Sequence, residues 1–430
     1  MIHLPTHQPL CAVVATNFIP PRSLADCLKF CGRTSAMVIL LALGAVRAAA
    51  APSDSFTISG QVSNSPAFAY SSSPLPLLGL PEFTETDLAV AGAYTGVSLE
   101  SLLTSSAVGI KPDPTQAKNS IIAEYVVAMG SDGYRVVYSG GELDPNFGGS
   151  NTLRPDLLAY QLNGAAIGAN GAFRTIVPGD TNKGGRYVSN VTNISVGIAA
   201  TKTGAGGTAS QFLLSGLVSN SGAIFTSLAD LTNGNLPVLT ENVTYLSAGS
   251  AVNNSFSGVS LWSFLSNAGL QTDPYQTKNH LNEYVLATGS DGYKAVFSLG
   301  ELDPSFGGQP TNSLAQDLIA YTGANSDGAF RIVVPGDLKG GRYIANVVSL
   351  EVIASAAPPG PLTVAANLAN GKFYLAGLGG SNTVYQVQAS TNLAAANWLT
   401  IGAVHTDTNG VAQFSDASPT NTQRYYRLSQ

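Results

Sequence analysis

The chain has 430 residues, room for about three domains at roughly 150 residues each. Only 11% of residues are charged, while 46 Gly and 23 Pro sit among 44% apolar residues. That is too apolar, and a net charge of -6 too small, for a disordered chain. Lys and Arg are scattered singly in an acidic chain, which argues against a nucleic-acid partner, since phosphate binding needs clustered positive charge.

The first element is a leader, residues 1-51. The apolar run SAMVILLALGAV begins at Ser35, is preceded by Lys29 and Arg33, and is followed by Arg47 and four alanines. A positive flank, a short apolar core and a small-residue exit predict a secretory signal peptide. The core is too short to span a bilayer, so no membrane span is expected in the mature chain. Cleavage is expected after Ala49, Ala50 or Ala51, and a start at Leu24 or Leu28 would give the leader a more ordinary length. Cys11, Cys27 and Cys31 all fall here, so the exported chain has neither a disulfide nor a thiolate ligand. Removing Arg22, Lys29, Arg33, Arg47 and Asp26 leaves 16 basic and 25 acidic residues, a net charge of -9.

An internal duplication follows. FTISGQVSNS at Phe56 returns as FLLSGLVSNS at Phe212, and YTGVSLESLL at Tyr94 as FSGVSLWSFL at Phe256. GSDGYRVVYSGGELDPNFGG at Gly130 returns as GSDGYKAVFSLGELDPSFGG at Gly289. GAFRTIVPGD at Gly171 and GGRYVSNV at Gly184 return at Gly328 and Gly340. A period this long marks duplicated domains, 55-198 and 211-354, rather than a solenoid. TKTGAGGTAS between them reads as a flexible linker.

Within each repeat, FTISGQV, EYVVAM, YRVVYS and FRTIVP are β-rich runs bounded by turn residues. VSLESLLTSSAVG and VSLWSFLSNAGL have helical spacing, with Ser98 and Ser260 as N-caps. LRPDLLAYQL is a short helix or a strand entry. The repeats are therefore expected to be α+β, with mixed sheet and short helices. Past the Pro-rich ASAAPPGPL, residues 362-430 alternate in short strands, predicting a small all-β sandwich.

The motif order F-x-[IL]-x-G-x-V, [YF]-[TS]-G-V-S-L, S-D-G-Y, F-R-x-x-V-P-G-D, G-G-R-Y resembles the molybdopterin-binding domain of the sulfite oxidase family, over nearly all of both repeats. The resemblance implies that domain's fold and, in its active members, a molybdenum centre held by a cysteine thiolate. Here FTETDLAVAGA and ENVTYLSAGSAVNNS stand where that cysteine would be, and Ser189 and Ala345 stand where the resemblance places a lysine. Asp87 or Ser250 would have to substitute as metal ligand, but the repeats do not align these two. No cofactor is therefore expected, with molybdopterin as the alternative. The C-terminal part, with YQVQASTNL and RYYRL, resembles fibronectin-like modules at the ends of exported bacterial proteins, in which Trp398 is expected as a core residue.

The repeated polar residues are the candidate sites. Arg174 and Arg331 stand inside apolar strands, where a guanidinium needs a partner or an anionic ligand. Arg186 and Arg342 are carried with them by the resemblance. Asp132 and Tyr134 recur as Asp291 and Tyr293, in an Asp-Gly sequence that is first a hairpin turn. Glu142 and Asp144 recur as Glu301 and Asp303. Their loop has the hard oxygens of a Ca²⁺ site but only two carboxylates, against six to eight oxygens needed, so a turn is the simpler reading. No His-Glu-x-x-His, G-x-S-x-G or phosphate loop occurs. The expected function is an exported, non-catalytic binding or structural protein with a small anionic ligand or a surface partner. The alternative is a molybdenum oxidoreductase with an atypical ligand.

Overall fold

Strands form where β-branched and aromatic runs lie between Gly, Asn and Pro. The computed structural model describes residues 13–16, 53–69, 77–86, 89–147, 154–168, 171–180, 182–200, 204–271, 279–306, 316–325, 327–355, 363–369, 372–378, 384–391, 399–405, 411–416 and 423–429. They fall into two compact units, 49–355 and a second made of 1–48 with 356–430. In the second unit, β1 (Val13–Thr16) pairs with the last strand of the chain, Tyr426 opposite Val13. Four residues read as leader are thus an edge strand here; the rest of the leader lies outside the described residues.

The first repeat runs β2 (Ser55–Gly60), β3 (Ala67–Ala69), β4 (Glu82–Glu85), β5 (Tyr94–Ser98), α1 (Leu99–Thr104), β6 (Glu124–Gly130), β7 (Arg135–Ser139), α2 (Gly140–Leu143), β8 (Leu157–Leu162), β9 (Ala165–Ala166), β10 (Arg174–Ile176) and β11 (Val191–Ile198). One sheet has the order β3-β2-β11-β6-β7 and the other β10-β8-β5-β4, with β9 on β8. The first and last long strands, β2 and β11, are parallel neighbours, Ile58 opposite Ile194. At Gly60 the backbone has φ +90, and a Cβ would lie 2.1 Å from the carbonyl oxygen of Val196. Only glycine permits that approach.

The second repeat runs β12 (Phe212–Gly216), β13 (Ile224–Phe225), α3 (Leu228–Leu231), β14 (Leu239–Ser247), β15 (Ser250–Ser260), α4 (Leu261–Asn267), β16 (Glu283–Gly289), β17 (Lys294–Ser298), α5 (Leu299–Leu302), β18 (Leu318–Asn325), β19 (Gly328–Val333) and β20 (Val347–Ala354). Its sheets, β13-β12-β20-β16-β17 and β14-β15-β18-β19, reproduce the strand order of the first repeat, including a parallel β12–β20 pair. The hairpin β14–β15 is longer than its counterpart β4–β5.

The expected α+β class is overturned. The protein is mostly β, with four small sheets in unit 49–355 and helices of four to seven residues among the described residues, not two sulfite oxidase-like α+β units. The predicted helical stretch after Ser98 stops at Thr104, and LRPDLLAYQL becomes strand β8. Helices this short do not persist alone. They hold because Ser98 and Ser260 accept the N–H of Ser101 and Ser263, and because Leu99, Leu102 and Leu103, or Leu261, Phe264 and Leu265, are buried.

The unit at the C-terminus has β21 (Thr363–Ala369), β22 (Lys372–Leu378), β23 (Val384–Ser390), β24 (Leu399–His405), β25 (Val411–Asp416) and β26 (Gln423–Ser429). Its sheets are β21-β22-β25 and β1-β26-β23-β24. The hydroxyl of Tyr426 in one donates to Asp416 in the other at 2.9 Å, both residues buried. Trp398 lies outside the described residues.

Candidate functional site

Hairpins β6–β7 and β16–β17 each turn at S-D-G-Y, where Oδ1 of Asp132 or Asp291 accepts the N–H of Tyr134 or Tyr293 at 2.9 and 3.0 Å. β7 and β17 run into α2 and α5 through capping boxes. Ser139 Oγ accepts the N–H of Glu142, whose carboxylate accepts the N–H of Ser139; Ser298 and Glu301 do the same. Each serine then donates its hydroxyl to the glutamate of the other repeat, Ser139 to Glu301 at 2.7 Å and Ser298 to Glu142 at 2.9 Å. The two caps are interlocked.

Two arginines close the network. Arg186 forks onto Asp180 at 2.8 and 2.7 Å and pairs with Glu142. Arg342 forks onto Asp337 at 2.9 and 2.7 Å and pairs with Glu301 at 2.8 Å. Both arginine side chains are 3% exposed. Each also lies across the other repeat's helix: a Cβ on Gly300 would meet Cδ of Arg186 at 2.5 Å, and one on Gly141 would meet Cδ of Arg342 at the same distance. That contact explains the glycine before each glutamate.

Asp156 and Asp317 are buried near the network as well. Six carboxylates therefore answer two guanidinium groups, an excess of negative charge that burial opposes. Burial, opposed by Arg186 and reinforced by Glu301, pushes Glu142 up to about 7. Asp337 rises to about 7 by burial against the pull of Arg342. Burial raises Asp156 and Asp317 well above the ordinary range.

Around the charges the repeats exchange aromatic side chains. Phe147 of the first repeat is 3% exposed in the core of the second, and Phe306 of the second is 1% exposed in the core of the first. Tyr125 and Tyr284 stack with centroids 4.6 Å apart, and Asn119 donates to the hydroxyl of Tyr293 at 3.0 Å.

The predicted site residues divide. Arg186, Arg342, Glu142 and Glu301 come together, but as partners of one another. Glu142 and Glu301 face the arginines, Asp144 accepts the N–H and side-chain amide of Asn146 at 2.8 Å, and Asp303 pairs with His280 at 3.0 Å. No group of three or more His, Cys, Asp or Glu able to hold a metal occurs among the described residues. Tyr134 and Tyr293 donate to the carbonyls of Gly185 and Gly341 at 2.7 and 2.9 Å. Asp291 and Tyr293 also line a cleft of about 370 Å³ with Tyr343 and Asn346.

Arg174 and Arg331 differ. Arg331 pairs with Asp327 at 2.9 Å and lies 5.5 Å from the ring centroid of Phe256. Arg174 donates to the hydroxyl of Tyr94 at 2.8 Å and sits 5.4 and 5.9 Å from the rings of Tyr94 and Tyr187. The Nε of each arginine has no hydrogen-bond partner among the described residues, but no carboxylate there pairs with Arg174. Ser139, Ser298, Asp156 and Asp317 were not singled out by motif. Their signals are present in the repeated S-x-x-E box and the repeated D-L-[LI]-A-Y.

A molybdenum site of the kind implied by the resemblance does not fit these donors. Residues 52-430 contain no cysteine. Ser250 opens strand β15 on an exposed hairpin whose turn, Ala248 and Gly249, has φ 48 and 83. Asp87 lies outside the described residues.

No family model matches the chain, and no curated protein matches it. Among solved structures, the sulfane dehydrogenase SoxCD from Paracoccus pantotrophus is similar at 15% identity and a TM-score of 0.25. The match covers 51% of this chain and 63% of that one, less than two thirds of the neighbour's length. It is a distant structural neighbour.

Proposed function

We propose that this chain is an exported, non-catalytic binding or structural protein in which two repeats are locked into one body. The observation that carries the reading is the fate of the shared charges. Glu142, Glu301, Arg186, Arg342, Asp180 and Asp337 are buried and committed to each other. A catalytic acid or base needs access to a substrate proton, and these groups have none. Among the described residues, Arg174 is the candidate for a ligand, and its guanidinium between two tyrosine rings suits a small anion.

Export rests on the leader. Cleavage at Ala49, Ala50 or Ala51 would remove β1 and leave β26 at the edge of its sheet. Sequencing the N-terminus of protein recovered from fractionated cells tests this, and an intact Met1 in the exported fraction would count against it.

The deciding experiment is elemental analysis of the full chain made in a host competent for molybdenum cofactor. Substoichiometric molybdenum is expected. One molybdenum per chain with a pterin spectrum would overturn the non-catalytic reading in favour of an oxidoreductase. Thermal-shift titration with sulfate and acetate then tests the anion site. A stabilisation that Arg174→Ala removes and Arg331→Ala leaves in place supports it, and no response to either anion leaves the structural role alone.

A further inference from the structure

A second buried charge cluster joins the repeats through Asp113 and Lys294. Lys294 opens β17 and lies 2.8 Å, Nζ to Oδ2, from Asp113, with each side chain 1% exposed. Oδ2 meets no other donor among the described residues. Nζ also donates to the carbonyl of Ala199 at 2.7 Å. The other carboxylate oxygen of Asp113 accepts the N–H and hydroxyl of Thr115 at 2.8 and 2.6 Å. The backbone N–H of Lys294 is held by Gln116 at 2.9 Å. Both groups are anchored on either side and buried.

Glu124, at the start of β6, completes the cluster. It is 1% exposed, its carboxyl accepts the backbone N–H of Asp113, and its Oε2 has no partner among the described residues. Burial pushes it up to about 8, so it carries a proton at neutral pH. An amine and a carboxyl group held in contact can make an amide, and a neutral acid beside them can carry the protons.

We propose that Asp113 and Lys294 condense to an intramolecular amide that covalently ties the first repeat to the second, with Glu124 handling the protons. A proton first passes from Nζ to the Asp113 carboxylate, giving a neutral amine and a neutral acid. The Nζ lone pair then attacks Cγ and a C–N bond forms. Glu124 protonates the departing hydroxyl and recovers the proton that nitrogen sheds. One C–O bond breaks and one water leaves, so no oxidant or reductant is needed. Holding the reactants in contact replaces an encounter in solution by a reaction within one molecule. The product exchanges two buried charges, costly to keep from water, for a neutral amide. The equivalent of Lys294 in the first repeat is Arg135, whose guanidinium stays protonated and is no acyl acceptor. One such bond is therefore expected.

The full chain is digested with trypsin and read by mass spectrometry. The expected result is a branched peptide joining Asp113 to Lys294, one water lighter than its two components, with Lys294 resistant to cleavage. Lys294→Arg abolishes the branched peptide. Glu124→Gln yields folded protein, verified by circular dichroism, in which the branched peptide is lost or forms many-fold more slowly. Separate Asp113 and Lys294 peptides as the sole species from folded wild-type protein would overturn the proposal. Full linkage in Glu124→Gln would overturn the role given to Glu124.

Discussion

The hydroxyl of Ser139 donates to Glu301 at 2.7 Å across a sequence separation of 162 residues. The same hydroxyl accepts the N–H that starts its own helix. One atom thus caps a helix and bonds one repeat to the other, and Ser298 repeats the arrangement in reverse. Ser139→Ala and Ser298→Ala should each cost about 1–3 kcal/mol, a lost cap together with a buried carboxylate oxygen deprived of a donor. Denaturant unfolding of the two single variants and the double variant checks this. A double variant equal to the sum of the singles would show that the caps are not coupled.

Removing either arginine strands two carboxylates, Glu142 and Asp180 or Glu301 and Asp337. Arg186→Leu and Arg342→Leu should each destabilise the unit 49–355 by about 3–5 kcal/mol, because charges buried as pairs are left alone. Lys at either position should rescue little, since it cannot fork onto an aspartate. Thermal unfolding followed by circular dichroism is the measurement. A loss below about 1 kcal/mol would place these pairs with weak surface ion pairs.

Phe147 and Phe306 each fill the partner repeat's core. Phe147→Ala and Phe306→Ala should each cost about 3–5 kcal/mol, as for other buried phenylalanines. Because the cavity opens in the opposite repeat, hydrogen exchange should speed most in residues 211–354 for Phe147→Ala and in residues 55–198 for Phe306→Ala. Exchange confined to the mutated repeat would contradict the swapped packing.

Stability should fall as pH rises through neutrality. Glu142 and Asp337 are raised to about 7 and Glu124 to about 8, all by burial first. An unfolded chain loses those protons in the ordinary carboxylate range while the folded chain keeps them. Stability is then fully present below the ordinary carboxylate pKa and is lost as pH climbs through the raised values. Each retained proton contributes at most about 1.4 kcal/mol per pH unit in that window. Asp303, which hydrogen bonds from His280 and Ser305 hold below the ordinary range against its burial, acts in the opposite sense only in more acidic solution. A melting temperature that declines from about pH 5 to about pH 8, with a shallower decline in Glu124→Gln, is the expected profile. A rise over that interval would refute it.

Local features are legible in the sequence. It marked the duplication, the strand runs, the Asp-Gly turns and the serine caps at Ser98 and Ser260, because neighbours along the chain decide these through periodicity, φ and short hydrogen bonds. It misjudged the helical share, since a periodic stretch such as VSLESLLTSSAVG is cut short once sheets bury most of the apolar surface. It also left Glu142 and Glu301 as loop carboxylates open to a cation. Packing of the two repeats turns them onto Arg186 and Arg342 and lends each a serine from the opposite repeat. Such partners stand some 160 residues apart, and what brings them together is the burial of each repeat's α2 or α5 turn and phenylalanine against the other. The charge-poor composition of the chain takes its meaning from that packing: several of its few ionised groups are buried inside, where each must find a partner or keep its proton.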